Sequence, residues 1–498
     1  MKKPLVIVLL IVLAMTPTWS RVIPILSVQP SFSYNGYPLL SSVTGEVKGK
    51  EVDGWYENYQ DLYRRYFDET SLMDLGIKID DEHFGLVFNL DIRRAFDTYF
   101  TSTSYSNIPF VGNSMDAILD LNFPRVGFVE VKFNKFYASI GRRQIKWGPS
   151  DYSMAINNSA PFMDNAWFSY ATPAGNGEFW YNFIVSGFSS NVFNETPGKG
   201  LKTLFAHRMG WGNDFFRASF GELNMVYDEM PNLMDFTPLG IWHNLYQDKK
   251  SNVMLVLDLE GMIPMGNFGK LRIYGEFVMD DFDLPHEISN PNGKPAAMGF
   301  NAGMQYHILD SQSREISELD YHDYVKREKN LKFTDGLNIT YEWYFTTPYL
   351  YNRDRDTGKF TIPMRTFTFG QGYIDDINAF FIGFPYGPNT MLHRINVKYD
   401  CRTWSVFATA EFLIRGSYDI DSPFGSADVP DYMDYRFKLR GDITKTIILD
   451  IGADWSWKPG FTVKGAMSGG FDLTHNKKAL AVTLGLSMDV PGFAASFK

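Results

Sequence analysis

The chain has 498 residues, a formal net charge of −10 and 16% aromatic residues. An acidic chain argues against nucleic acid as a partner, because phosphate binding needs a basic surface. Its one cysteine, Cys401, excludes an intramolecular disulfide, so the fold must be held together without cross-links.

At the N-terminus Lys2 and Lys3 precede an unbroken apolar run over residues 5–15. Thr16-Pro17 then breaks any helix, and Thr18 and Ser20 are small residues suited to cleavage. An apolar segment of roughly 11 residues is too short to span a ~30 Å hydrocarbon layer, so residues 1–20 read as a secretory signal peptide. Residues 21–498 read as one domain. The runs 253–257 and 447–449 end at Asp258 and Asp450, far short of the roughly 20 residues of a transmembrane helix. A chain that enters a membrane without such helices does so as a closed barrel. The mean hydropathy of −0.21 fits, since a barrel needs apolar side chains on one face only.

Residues 55–67 follow neither period and are predicted to form a small helix at a barrel mouth. From about residue 80, period-2 alternation dominates. Phe84, Leu86, Phe88, Leu90 and Ile92 share a face, with Asn89 and Asp91 opposite. Leu271, Ile273 and Phe277 oppose Arg272, Tyr274 and Glu276. Ile339, Tyr341 and Trp343 oppose Asn338, Thr340 and Glu342. Val406, Ala408 and Ala410 oppose Ser405, Thr409 and Glu411. Leu449, Ile451 and Ala453 oppose Asp450 and Asp454, and Leu484 and Leu486 oppose Thr483 and Gly485.

Periodicity alone also fits a large soluble β-sandwich or β-helix. Alternation over about ten residues exceeds the ~5–6 of most soluble strands and matches the ~9–11 that cross a bilayer at a tilt. Trp343, Trp404, Trp455 and Trp457 at strand ends suit an interfacial girdle. The expectation is an all-β, single transmembrane antiparallel barrel of about 16–18 strands with minor helical elements near one mouth. It is expected to be a monomer in outer-membrane lipid. Lys458-Pro459-Gly460 reads as a hairpin turn. Residues 287–295, 311–330, 352–359 and 417–431 read as surface loops, with a short helix within 316–329.

Residues 141–162, GRRQIKWGPSDYSMAINNSAPF, stand out from this background. Arg142, Arg143, Lys146 and Trp147 concentrate cations and an indole before a Gly-Pro turn, and Asn157-Asn158 follow in a loop. Three further segments share this character: GELNMVYDEMP (221–231), LRIYGEFVMDDF (271–282) and FFIGFPYGPNT (380–390). In their order the four segments resemble the Wzi-type capsule-assembly family of outer-membrane proteins, across roughly residues 70–400. Gly-Arg-x-x-x-x-Trp-Gly-Pro and Tyr-Gly-Glu-Phe-x-x-Asp-Asp are the most distinctive stretches. The resemblance implies an 18-stranded barrel with helices near its periplasmic mouth, binding surface polysaccharide and holding capsule at the cell surface. Ser159 departs from an Asn-Asn-Ala-Pro-type pattern, and no helical bundle before Leu75 matches.

The residues themselves are compatible with sugar binding, which needs aromatic faces for stacking and paired polar groups for hydroxyls. Arg142, Arg143, Lys146, Trp147, Asn157 and Asn158 are the candidate glycan contacts, with Trp167, Trp180 and Trp211 as further indoles. The alternative places the Trp residues in the girdle and pairs the arginines with luminal Glu276, Asp280 or Asp281. No catalytic activity and no cofactor are expected. Asp280 and Asp281 are adjacent on a strand and so point to opposite faces, unlike a glycosidase pair. None of the eight histidines falls in a metal-ligand spacing, and no Gly-x-Ser-x-Gly occurs. A general or sugar-selective porin is the other functional class, and it turns on whether residues 55–67 and the long loops plug the lumen.

Overall fold

The computed structural model describes residues 21–35, 45–47, 50–52, 70–93, 104–108, 126–158, 162–189, 200–237, 240–242, 250–281, 295, 297–308, 336–353, 356–367, 374–401, 403–420, 422 and 438–490. The signal peptide at 1–20, the helix expected at 55–67 and the loop at 311–330 lie outside these residues, and so do most of 287–295 and 417–431. Among the described residues there are two short 3-10 turns, and only Trp242 and Val490 have α-helical backbone.

Eighteen strands close into one antiparallel barrel. They are β1 (Arg21–Val28), β2 (Met73–Asp80), β3 (Phe84–Ile92), β4 (Val126–Phe133), β5 (Phe136–Arg143) and β6 (Met163–Ala174). Next come β7 (Gly177–Ser189), β8 (Leu201–Gly212), β9 (Phe216–Tyr227), β10 (Ser251–Pro264), β11 (Lys270–Asp281) and β12 (Ala297–Ile308). The last six are β13 (Gly336–Thr346), β14 (Thr390–Asp400), β15 (Trp404–Gly416), β16 (Ile443–Lys458), β17 (Phe461–Asp472) and β18 (Lys477–Asp489). Each pairs with its sequence neighbour. Closure runs through the first strand, where Val28 lies opposite Met488 and the continuing segment Ser31–Asn35 lies opposite residues 481–485. A closed ladder leaves no unpaired edge in the hydrocarbon.

The alternation decides which way side chains face. Leu484 is 61% exposed and Ile451 49%, both on the outer wall, whereas Glu276, Glu342 and Glu411 are buried on the luminal side. The hairpin ends differ in length. At one end the connections at 134–135, 175–176, 213–215 and 459–460 are tight turns, with Gly175 and Gly460 supplying positive φ. An exposed aromatic belt rings this end: Phe133, Phe136, Phe216, Phe268, Trp455 and Trp457. Trp404 stacks on Trp455 at 5.6 Å. Such a belt is what the membrane–water interface selects. At the opposite end β5–β6, β9–β10 and β13–β14 are joined by long connections.

Candidate functional site

Two of the long connections turn into the barrel. The first, residues 144–158, leaves β5 at Arg143. That residue is buried and inward-facing, with its guanidinium 4.4 Å from the Trp167 ring and 4.8 Å from the Phe128 ring. It donates to the Tyr137 hydroxyl at 2.6 Å, and Tyr137 donates to Glu130 at 2.9 Å. A cation held between rings and an anion is thereby compensated without water. The chain then pinches where the Trp147 N–H donates to the Ile156 carbonyl at 2.9 Å. The turn between them is fastened by Glu276 of β11. Its carboxylate accepts from Ser150 N at 2.9 Å, from Met154 N at 2.6 Å and from the hydroxyls of Ser150 and Ser153. Gly148 makes room for this approach. It has φ +123°, and a Cβ there would sit 2.5 Å from the Glu276 oxygen.

The second insert, residues 347–389, follows β13 and returns to β14. It carries a short hairpin, Thr361–Phe367 with Ile374–Phe381. The two inserts are hydrogen-bonded to each other: Asn157 N donates to Ile382 O at 2.7 Å, and the Tyr351 hydroxyl to Met154 O at 2.6 Å. Their apolar side chains, among them Trp147, Met154, Ile156, Tyr351, Phe360 and Phe381, join Leu204, Met225, Val256 and Leu392 of the wall in one buried cluster. A hydrophobic plug therefore packs inside the barrel against the wall formed by β5 to β15.

The plug rests on charged groups of the wall. Arg394 of β14 lies 2.5 Å from Asp151 of the first insert, 3.2 Å from Glu342 and 3.3 Å from Glu411. Glu342 also accepts from Asp151 N at 2.7 Å and from the Tyr274 hydroxyl at 2.6 Å, and Glu411 accepts from the hydroxyls of Tyr152 and Tyr386. Arg272 pairs with Glu260 and donates to Pro149 O at 2.7 Å. Charges this deep persist only when paired and hydrogen-bonded on most sides. The arrangement immobilises the plug; among the described residues no group of His, Cys, Asp and Glu is placed to hold a metal ion.

The fold has counterparts among solved structures. The chain is similar to Wzi, an outer-membrane protein involved in group 1 capsule assembly in Escherichia coli and described as a carbohydrate-binding β-barrel. The TM-score is 0.53 at 10% identity, over 94% of this chain and 84% of that one. The fold is that of an outer-membrane β-barrel. OccK5 (OpdH) of Pseudomonas aeruginosa (TM-score 0.44, 10% identity, 94% of this chain and 97% of that one) and OprD of the same organism (0.42, 9%, 94% and 94%) are also similar. No protein-family model matches the chain, and no curated protein is similar to it.

The expected glycan contacts do not form one surface. Arg142 faces outward and makes a two-pronged pair with Asp164 of β6 at 2.6 and 2.7 Å, while its neighbour Arg143 faces inward. Trp147 is 1% exposed, inside the plug. Lys146 donates to Asp151 O, and Asn157 is buried against the second insert. Asn158 alone is exposed. Trp167 and Trp180 are luminal and buried, the latter 5.0 Å from the Arg208 guanidinium, whereas Trp211 donates to Ala174 O beside a tight turn.

The expected luminal pairs need correction too. Glu276 takes loop amides and hydroxyls instead of an arginine, because the first insert brings its N–H groups to it. Asp280 is buried near Asn252, 3.5 Å away, at a β-bulge between Met279 and Asp281. The side chain of Asp281 lies outside what is described. The described residues of 352–359 also depart from expectation: they belong to the plug, with Asn352 and Lys359 buried. Arg394 and Tyr351 carry no motif, and nothing local in the sequence marks them.

Proposed function

We propose that this outer-membrane barrel binds or anchors cell-surface polysaccharide and does not serve as a diffusion channel. The observation that carries the reading is the plug: the described residues of 144–158 and 347–389 place an apolar cluster inside the barrel, fastened by Glu276, Glu342 and Arg394. A porin needs a continuous aqueous path, and an apolar plug inside the barrel argues against one. The fold likeness to a carbohydrate-binding β-barrel of capsule assembly supports a glycan as the partner. Outer-membrane barrels keep short turns on the periplasmic side and long loops outside, so both inserts belong to the external face. Exposed loop groups there, Asn158 among them, are available to sugar hydroxyls. Net charge of −10 argues against broad electrostatic capture, so recognition rests on a local site.

Purified protein reconstituted in planar bilayers is expected to be silent, and in vesicles to retain extracted acidic surface polysaccharide in preference to neutral dextran. Free ion conduction with no polysaccharide retention would replace this reading with the porin one.

A further inference from the structure

The strand alternation inverts at one place on the outer wall. In β9 the luminal side chains include Leu223 and Met225, which touch the plug. Phe220, Glu222, Asn224 and Val226 therefore face outward. Phe220 is exposed, yet Glu222 and Asn224 are fully buried, and so is outward His207, the cross-strand partner of Glu222. Glu222 lies six residues beyond Phe216 of the aromatic belt. At ~3.3 Å per residue and a 35–45° tilt that is about 15 Å above the belt, inside the ~25 Å apolar band. A bare carboxylate facing hydrocarbon there is strongly unfavourable.

The connection that follows β9 covers it. Trp242 stacks on His207 at 4.3 Å, donates its backbone N–H to Glu222 Oε2 at 2.7 Å, and packs with outward-facing Phe205 and Val226. Phe236 meets Phe205 edge-on at 5.0 Å. The loop thus lies against the outside of the barrel. Its own polarity is inside out: Asp235 is buried, accepting from Asn232 N at 2.6 Å, while Leu233 is 90% exposed and Met230 65%. Met234, Phe236 and Ile241 are exposed as well, and the surface runs on into exposed Phe220, Leu257 and Leu259 of the wall. Apolar side chains outward and carboxylates inward is the pattern of a segment surrounded by hydrocarbon.

We propose that residues 228–237 and 240–242 form a lipid-inserted flap. Its outward apolar residues enter the outer leaflet, and Trp242 seals the His207–Glu222–Asn224 cluster from the acyl chains. Continuity with the lipid-facing wall selects the bilayer as the occupant.

The test uses the full chain in a Cys401→Ser background with Leu233→Cys labelled by an environment-sensitive fluorophore. Ile451→Cys serves as the lipid-facing control and Asn158→Cys as the control on the external face. Each protein is reconstituted in phosphatidylcholine vesicles with or without bromine on the acyl chains. Leu233 is so exposed that its replacement removes no packing, and heat-modifiable gel migration verifies folding. The label at Leu233→Cys should be quenched by brominated lipid to within about two-fold of Ile451→Cys and shielded from aqueous iodide. Iodide quenching without bromine quenching would place the loop in water and overturn the flap. Disulfide cross-linking of unlabelled Leu233→Cys between copies, together with no bromine quenching of the labelled protein, would overturn it in favour of a second copy. If Leu233→Cys gives no folded protein, Ile241→Cys carries the same readings.

Discussion

Ser150 donates its backbone N–H to Glu276 Oε1 at 2.9 Å, across 126 residues of chain. The bond joins the turn after Trp147-Gly148-Pro149 to the middle of the Tyr-Gly-Glu-Phe strand. The two most distinctive stretches of the sequence are thus the two halves of one fastening. It ties the first insert of the plug to the barrel wall.

Replacing Glu276 by Ala leaves the amides of Ser150 and Met154 without their acceptor. A buried orphaned donor costs about 1–3 kcal/mol, so the first insert should come loose. The barrel ladder does not involve this carboxylate and should persist. The expected result is ion conductance in planar bilayers well above the parent's, with unchanged heat-modifiable migration. Conductance equal to the parent's would show that the plug does not depend on Glu276.

Gly148→Ala should act in the same direction. Its Cβ would meet both the Glu276 carboxylate and the Ser153 hydroxyl at 2.5 Å, on a backbone that L residues rarely adopt. The cost should be roughly 1–3 kcal/mol. Because both changes undo one fastening, Gly148→Ala combined with Glu276→Ala should raise conductance little beyond either alone. Additive effects would separate the two residues.

Arg394→Met strips the shared partner from Asp151, Glu342 and Glu411. Breaking a buried ionic group typically costs about 3–5 kcal/mol. Arg142→Ala breaks only the outward pair with exposed Asp164, worth about 0–1 kcal/mol. Urea titrations of the folded protein in lipid should therefore separate these variants widely. Similar midpoints would mean that the Arg394 cluster contributes no net stability.

Arginine at Leu484 or Ile451 should cost about 2–4 kcal/mol near the bilayer midplane, measured by reversible folding into vesicles. Thr483→Arg and Asp454→Arg, on the luminal face, should cost much less. Equal losses would contradict the register, in which Leu484 pairs with Gly465 and Ile451 with Met467.

Much of the wall was legible in the residues alone. Leu449 and Ile451 face out and Asp450 and Glu411 face in because successive side chains on a strand point to opposite sides, a consequence of local geometry that needs no partner. The Pro459-Gly460 turn was legible for the same reason. Closure at eighteen strands, by contrast, is set by pairing between Val28 and Met488, a contact between the two ends of the chain. The fate of the loops was likewise a tertiary matter. Residues 352–359 look like any polar surface loop, and they turn inward because Lys202 reaches Thr361 and Asn252 reaches Gly358. Arg142 and Arg143 are neighbours in a basic cluster, but the strand sends them to opposite sides of the wall. The sharpest case is β9. Its alternation, read by itself, would put Leu223 and Met225 in lipid and Glu222 in the lumen. The plug offers Leu223 and Met225 an apolar interior, and Trp242 gives Glu222 a partner outside, so the surroundings reverse what the local pattern prefers.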